Sequence, residues 1–196
     1  DPSPAPLEPL ETESPSPEAE EPEEIEEDID PEFNDADVDG AQQILALHHI
    51  SLELHEIIQS KADIDRDVQT LSLMHTTHFD QIRLLEEMLQ TWEAEVPDAD
   101  EARANSEVVT AEQVRDLGRA AGDQASALYL ELMITLHGSR SSICEDVLHD
   151  GENPDLAELA QQMLTDQQHE VTHMRELLAG LDVPDSGNGD GDDNDD

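Results

Sequence analysis

The sequence predicts an all-α protein: a four-helix bundle built from two repeated helical hairpins, between two disordered acidic tails. Three observations support this prediction. Apolar residues recur with the helical period over four long stretches, and no stretch shows the alternation typical of a strand. The two halves also repeat each other, since His49 lies 88 residues before His137. Neither hairpin would bury its apolar stripe alone, so the two are expected to share one core.

The tails are predicted from composition. Residues 1–38 hold 16 acids and 8 of the 11 prolines, so this segment cannot bury enough apolar surface to offset its ordering entropy and reads as an extended spacer. Residues 183–196 form a second tail of Asp, Gly and Asn. Its spacing suggests calcium, but the glutamate that closes an EF-hand loop is absent. The bundle is predicted over residues 39–182.

Repeat one covers residues 41–95. Its first helix runs from Ala41 to Ser60, and its second from Arg66 to Glu95, where the following Pro97 ends it. The residues expected on the buried stripes are Leu47, Ile50, Leu54, Ile57 and Ile58 on the first helix, and Leu71, His75, His78, Ile82, Leu85, Leu89 and Trp92 on the second.

A crossover, residues 96–122, leads to repeat two, residues 123–181. Thr110 opens a capping-box pattern that predicts a short helix within the crossover. The long helices of repeat two are predicted over 123–150 and 154–181, the latter opened by an Asn-Pro pair. Their buried stripes contain Leu130, Ile134, His137, Ser141, Cys144 and Leu148, then Leu156, Ala160, Met163, Gln167, Val171, Met174 and Leu178.

The charge of the chain excludes several classes of partner. Acidic residues number 51 against 8 basic ones, and Lys61 is the only lysine. Nucleic acids and anionic membrane surfaces need clustered Lys and Arg, so neither is expected to bind. Between the tails, residues 39–181 still carry 28 acids and all 8 bases. Two sources fit this surface equally well: a halophile's protein and an ordinary acidic secreted protein.

Neither a disulfide nor a membrane span is predicted. Cys144 is the only cysteine, which excludes an intrachain disulfide. No run of 18 apolar residues is present, so no transmembrane segment is expected. The oligomeric state does not follow from the sequence.

An ordered set of short motifs resembles a known family. Repeat one contains the double histidine His48-His49, and repeat two contains Met133-Ile134-Thr135-Leu136-His137, Pro154, Leu159-Ala160 and Gln167-x-x-Glu170-Val171-x-x-Met174. In this order and spacing they resemble the domain-of-unknown-function 305 family over roughly residues 41–181. The resemblance implies a ferritin-like four-helix bundle. It also implies an extracytoplasmic location, periplasmic or at the cell surface and sometimes lipid-anchored, and binding of copper or silver through His and Met.

The main candidate metal ligands are histidines of repeat one. His48 and His55 share a face of the first helix, and His75 and His78 lie on the core stripe of the second. Antiparallel pairing sets His48 level with His78, which brings all four within about two helical turns. Imidazole suits copper, zinc or nickel. His49, at the helix edge, is a fifth candidate, and the competing interpretation is a set of hydrogen-bonded core histidines.

Secondary candidates lie in repeat two: His137, Cys144, Met163 and Met174. A soft site of thiol, thioether and imidazole is one interpretation of this set. Apolar filling of the core by Cys144 and Met163 is the other. Glu170 and His173 are interpreted as a polar pair on the surface.

No catalytic arrangement is found, so the chain is predicted not to be an enzyme. The sequence shows no nucleophile with a base, no phosphate-binding loop and no paired catalytic carboxylates. Two functions stay open: a metal-binding bundle for copper-like ions that serves metal buffering or tolerance, and an acidic structural or interaction domain without metal.

Overall fold

The computed structural model describes residues 32–73 and 76–181, and within these ranges the chain forms helices, turns and bends without a strand. The all-α prediction is therefore confirmed, whereas the ferritin-like topology stays a prediction. Most of the two predicted tails lies outside the described residues. The helices are α1 (Asp35–Gln59), α2 (Arg66–Leu73), α3 (Thr76–Thr91), α4 (Ala99–Asn105), α5 (Ala111–Arg119), α6 (Gly122–Asp150) and α7 (Pro154–Gly180).

Helix α1 begins six residues before the predicted start at Ala41, within the stretch that its composition assigned to the spacer. Asn34 caps the helix: its side chain accepts a hydrogen bond from the backbone N–H of Asp37, and the Asp37 carboxylate accepts one from the N–H of Asn34. The same carboxylate accepts hydrogen bonds from the N–H groups of Glu152 and Asn153. A capping box and the turn between α6 and α7 thus hold this start in place.

The second predicted helix differs from the structure at two points. It is described as α2 and α3, with residues 74–75 between them outside the described residues. It ends at Thr91 rather than at Glu95, because Glu93 adopts a left-handed φ of 54° and the Ala94 N–H bonds back to the Leu89 carbonyl. A hydrogen bond from the residue after a left-handed one to the carbonyl five positions earlier is a common way for a helix to end.

The crossover contains more helix than was predicted. The Thr110 capping box opens α5 as expected, and its side chain accepts a hydrogen bond from the N–H of Gln113. Helix α4 was missed, although Asp98 caps it in the usual way by accepting hydrogen bonds from two N–H groups. Both short helices pack against α1. Lys61 secures the crossover by donating hydrogen bonds to the carbonyls of Gly118 and Ala120.

Helix α1 is central to the packing. It contacts α2 and α3 on one side and α6 on another, and α6 packs in turn against α7. The contact between α1 and α6 is close at Gly40, where a Cβ atom would overlap the Val147 side chain. One predicted core residue is wrong: Leu148, expected on the buried stripe of α6, is 39% exposed.

Among the described residues, the core divides into two apolar clusters. Cluster I has among its buried members Leu54, Ile58, Val68, Leu130, Leu136 and Met174. Cluster II has Ile44, Leu45, Leu85, Leu89, Val147 and Leu156. Between these clusters, α1, α3, α6 and α7 contribute a polar layer, which consists of His48, Ser51, His55, His78, His137, Arg140 and Gln167, all buried, and the half-buried Glu170. The candidate functional site lies in this polar layer.

Candidate metal centre

His137 is held with one ring nitrogen directed at Glu170. Its Nδ1 lies 2.8 Å from the Met133 carbonyl oxygen, one helical turn earlier on α6, and its Nε2 lies 2.8 Å from Oε2 of Glu170 on α7. A carbonyl only accepts hydrogen bonds, so Nδ1 must carry a hydrogen. A second hydrogen must then lie between Nε2 and the carboxyl group, because two lone pairs would otherwise face each other at this distance. A metal cation could replace the hydrogen between His137 and Glu170.

His78 of α3 completes a group of three possible ligands. One ligand atom each from His78, His137 and Glu170 lies within 4.8 Å of the others. Metal–nitrogen and metal–oxygen bonds of roughly 2.0–2.2 Å require ligand atoms somewhat closer than this, so an ion would draw them inward by roughly 1 Å. Two imidazoles with one carboxylate form a donor set known for divalent transition metals. The residues therefore fit an ion.

A small cavity lies at this group. Its volume is about 40 Å³, which exceeds the roughly 10–15 Å³ that one water needs and so admits an ion with a bound water. Two thioethers, from Met133 and Met174, lie in its wall. The other lining residues are His55, Leu71, His78, Tyr129, His137 and Glu170.

His55 forms a buried pair with Tyr129 beside the cavity. The Tyr129 hydroxyl lies 2.8 Å from Nδ1 of His55, and the His55 ring centroid lies 5.6 Å from that of His78. Burial, with a smaller contribution from the negative charge of Glu170, raises the pKa of Tyr129 well above its usual range. The hydroxyl therefore stays neutral and orients His55 next to the three ligands.

His48 is fully buried behind His78, and their ring centroids are 5.1 Å apart in an edge-on arrangement. Neither nitrogen of His48 has a hydrogen-bond partner among the described residues. Burial lowers its pKa well below the ordinary value of 6.5, and the positive charge of Arg140 lowers it further. The ring is thus held neutral, in the state that a metal ligand requires.

The structure brings His48, His55 and His78 together, as the helical register predicted, and adds His137 to the same group. From the sequence, His137 was predicted to belong to a separate soft site. In the structure its ring centroid lies 6.2 Å from that of His78. Met174 also lines the cavity. His75 lies outside the described residues.

Three other candidates lie away from the ligand group. His49 is only half-buried and is not among the three possible ligands. Cys144 and Met163 belong to cluster II, where the Cys144 thiol lies 3.9 Å from the Met163 sulfur. Burial raises the pKa of Cys144 to about 11, so the thiolate that a metal would need is scarce at neutral pH.

Sequence reasoning missed Glu170. It was interpreted as half of a surface pair with His173; that interpretation is wrong, because Glu170 turns toward His137 while His173 is exposed. A signal was present in the sequence. Glu170 follows Gln167 by three residues and so shares its helix face, and the tight turn between the two long helices of repeat two sets Gln167 level with His137.

These features define a class: an all-helical protein whose core contains a layer of imidazoles and one carboxylate arranged as a candidate metal centre. The chain belongs to the family described as domain of unknown function 305 (DUF305), which it matches over residues 37–178. The resemblance stated from the sequence motifs is therefore confirmed.

Two crystal structures are among the solved structures that share the fold. A DUF305 fragment from Deinococcus radiodurans is 24% identical with a TM-score of 0.66, and the match covers 76% of this chain and 98% of that one. A DUF305 protein from Streptomyces coelicolor, proposed to be secreted, is 23% identical with a TM-score of 0.63, and the match covers 74% of this chain and 93% of that one. Among curated proteins, none is similar enough in sequence to match. Within the described ranges, no helix has the length and apolar character to cross a membrane.

Proposed function

We propose that this protein binds a copper-like transition-metal ion between His78, His137 and Glu170, and that it stores the ion rather than using it in catalysis. The observation that supports the proposal most is the contact of His137 with Glu170. A backbone carbonyl fixes the ring, as is usual for metal-binding histidines, and a buried nitrogen shares a hydrogen with a carboxylate at 2.8 Å, a hydrogen that a metal ion could replace.

The donor set favours copper among the first-row metals. Imidazole nitrogens and a carboxylate bind divalent ions in the Irving–Williams order, in which copper is bound most tightly. The thioethers of Met133 and Met174 in the cavity wall also tolerate the softer monovalent state. The chain's net charge of −43 would raise the concentration of cations near its surface.

A buffering or tolerance role outside the cytoplasm agrees with the surroundings of the site. His78 and His137 are buried and Glu170 is half-buried, and the cavity is too small for an organic substrate beside the ion. The Streptomyces relative is a DUF305 protein proposed to be secreted, and we extend that location to this chain. The proposal is therefore a non-catalytic, extracytoplasmic metal-binding protein.

A chelator competition with copper tests the proposal. The parent protein is expected to bind one ion, with affinity that falls below about pH 6 because protonated imidazole cannot coordinate. The double variant His78→Leu, His137→Leu removes two ligands, so its affinity should fall by at least about 100-fold. Glu170→Gln removes the carboxylate charge and should show a smaller loss in the same direction.

The matched control replaces two exposed histidines of the same protein, His169 and His173, by glutamine. Because neither belongs to the ligand group, the control should bind copper as tightly as the parent. Equal affinity of the double leucine variant and the parent would contradict the proposal.

One observation favours a second function, an acidic structural or interaction domain without metal. His137 and His55 already have hydrogen-bond partners within the protein, so part of the polar layer is satisfied without an ion. Elemental analysis of protein purified without chelator from copper-supplied cells separates the two functions. A stoichiometric metal content supports the first, and a metal-free protein that also fails to take up copper in solution supports the second.

A further inference from the structure

Arg140 is a buried cation within the polar layer. Its side chain is only 1% exposed, and its Nη2 donates a hydrogen bond of 2.8 Å to the Ser51 hydroxyl. Its Nε has no hydrogen-bond partner among the described residues. Burial lowers the pKa of Arg140 to about 10, so the guanidinium remains charged at neutral pH.

This charge acts on the candidate metal centre. Arg140 follows His137 by three residues on α6 and therefore shares its face of the helix. Its positive charge lowers the pKa of His48, while the negative charge of Glu170 counteracts the effect of burial on Arg140 itself. Arg140 and Glu170 thus carry opposite charges that attract each other within the polar layer.

The charge balance of the layer follows from these contacts. With its imidazoles neutral, as metal binding requires, Glu170 contributes one negative charge and Arg140 one positive charge. These two charges cancel once the ion has displaced the hydrogen that lies between His137 and Glu170. A monovalent ion leaves one excess positive charge inside the core and a divalent ion leaves two, and water screens neither well.

We propose that Arg140 is a built-in cation that selects ions by charge, so that the site discriminates against divalent ions in favour of monovalent ones. This inference rests on the proposed function, since it concerns the same site. Coulomb repulsion is proportional to the charge of the ion, so a given factor lost for a monovalent ion is squared for a divalent ion. Arg140 is not a ligand; it sets which ions the ligands hold.

The test compares silver(I) and zinc(II), two ions that undergo no redox change during the titration. Affinities are measured by competition in chloride-free buffer for the parent and for Arg140→Met, which keeps the volume and removes the charge. We expect silver(I) affinity to rise by at least about 10-fold and zinc(II) affinity by at least about 100-fold, because at an effective dielectric near 20 a unit charge within about 12 Å contributes at least about 1.4 kcal/mol per unit of ion charge. Arg140→Gln, which keeps a donor toward Ser51, replaces the methionine variant if that variant does not fold.

Two controls separate charge from packing. Arg140→Lys retains the positive charge and should keep the parent's preference between the two ions. Arg83→Met removes an equal charge from an exposed position on α3 and should change either affinity by less than about twofold, because water screens that site.

The outcomes distinguish this inference from the proposed function. A zinc(II) gain no larger than the silver(I) gain overturns the role of Arg140 while leaving the site itself in place. A loss of affinity for both ions in Arg140→Met and Arg140→Gln also overturns it, since Arg140 would then support the ligands. A parent protein that binds neither ion overturns the proposed function, and this inference with it.

Discussion

Apart from the half-buried Glu170, the polar layer is buried as fully as the two apolar clusters, but the two kinds of region differ in whether their side chains find suitable partners. In cluster II, Leu45, Leu85 and Leu89 are fully excluded from water and surrounded by other apolar groups, so each contributes to stability. In the layer, His48 and Gln167 are equally buried, yet their polar side-chain atoms lack hydrogen-bond partners within the described structure. Burying such groups costs free energy. The layer therefore lowers stability, and a function such as ion binding would explain why it is there.

The largest expected effect on stability comes from cluster II. Leu85→Ala removes a fully buried side chain from a packed apolar environment, so the free energy of unfolding should fall by about 3 kcal/mol. Urea unfolding followed by circular dichroism measures the change. A loss below about 1 kcal/mol would show that cluster II is loosely packed and would remove the contrast with the layer.

Metal binding should offset the loss of stability caused by burying the polar layer. Copper at 100 times its dissociation constant should raise the free energy of unfolding of the parent by about 2.7 kcal/mol, because it binds the folded state alone. Glu170→Gln should gain clearly less at the same copper concentration. Thermal melting with and without copper is the measurement, and an equal gain in both proteins would locate the bound ion elsewhere.

His48 provides a smaller test of the same comparison. Replacing a buried imidazole that has no hydrogen-bond partner among the described residues by an apolar side chain should keep or raise stability, so His48→Leu should gain up to about 2 kcal/mol without metal. A loss comparable to that of Leu85→Ala would mean that the ring is satisfied in solution and that the layer is structural.

The effect of His48 should also depend on pH. Folding lowers its pKa well below 6.5, so below pH 6.5 the unfolded chain binds a proton that the folded chain does not. The free energy of unfolding then falls with decreasing pH, by at most about 1.4 kcal/mol per pH unit from this residue. The advantage of His48→Leu over the parent should therefore grow between pH 7 and pH 5. An advantage that stays constant with pH would show that folding leaves the pKa of the His48 ring unchanged.

Helical periodicity predicted the long helices and much of the layer, because both depend on local spacing. The register of one hairpin sufficed to bring His48 level with His78. The position of Glu170 relative to the first hairpin depends on how the two hairpins pack, which no local pattern determines. Helix α4 was missed for a related reason: it is short and only Ala102 of its residues is buried, so it has almost no apolar stripe to detect.

The smallest effect is expected on copper affinity from Cys144, which packs against Met163 in cluster II. Cys144→Ala should change copper affinity by less than about twofold, because the thiol packs against Met163 within cluster II and its pKa of about 11 keeps it protonated. The same chelator competition provides the measurement. A large loss of affinity would move the binding site from the layer toward cluster II.

Anomalous diffraction at the copper edge, from crystals of the full chain grown with copper, tests the central claim most directly. We expect one strong peak in the cavity, within roughly 2.0–2.2 Å of a ring nitrogen of His78, Nε2 of His137 and a carboxylate oxygen of Glu170. Copper found only at exposed histidines such as His149, with none in the layer, would contradict it.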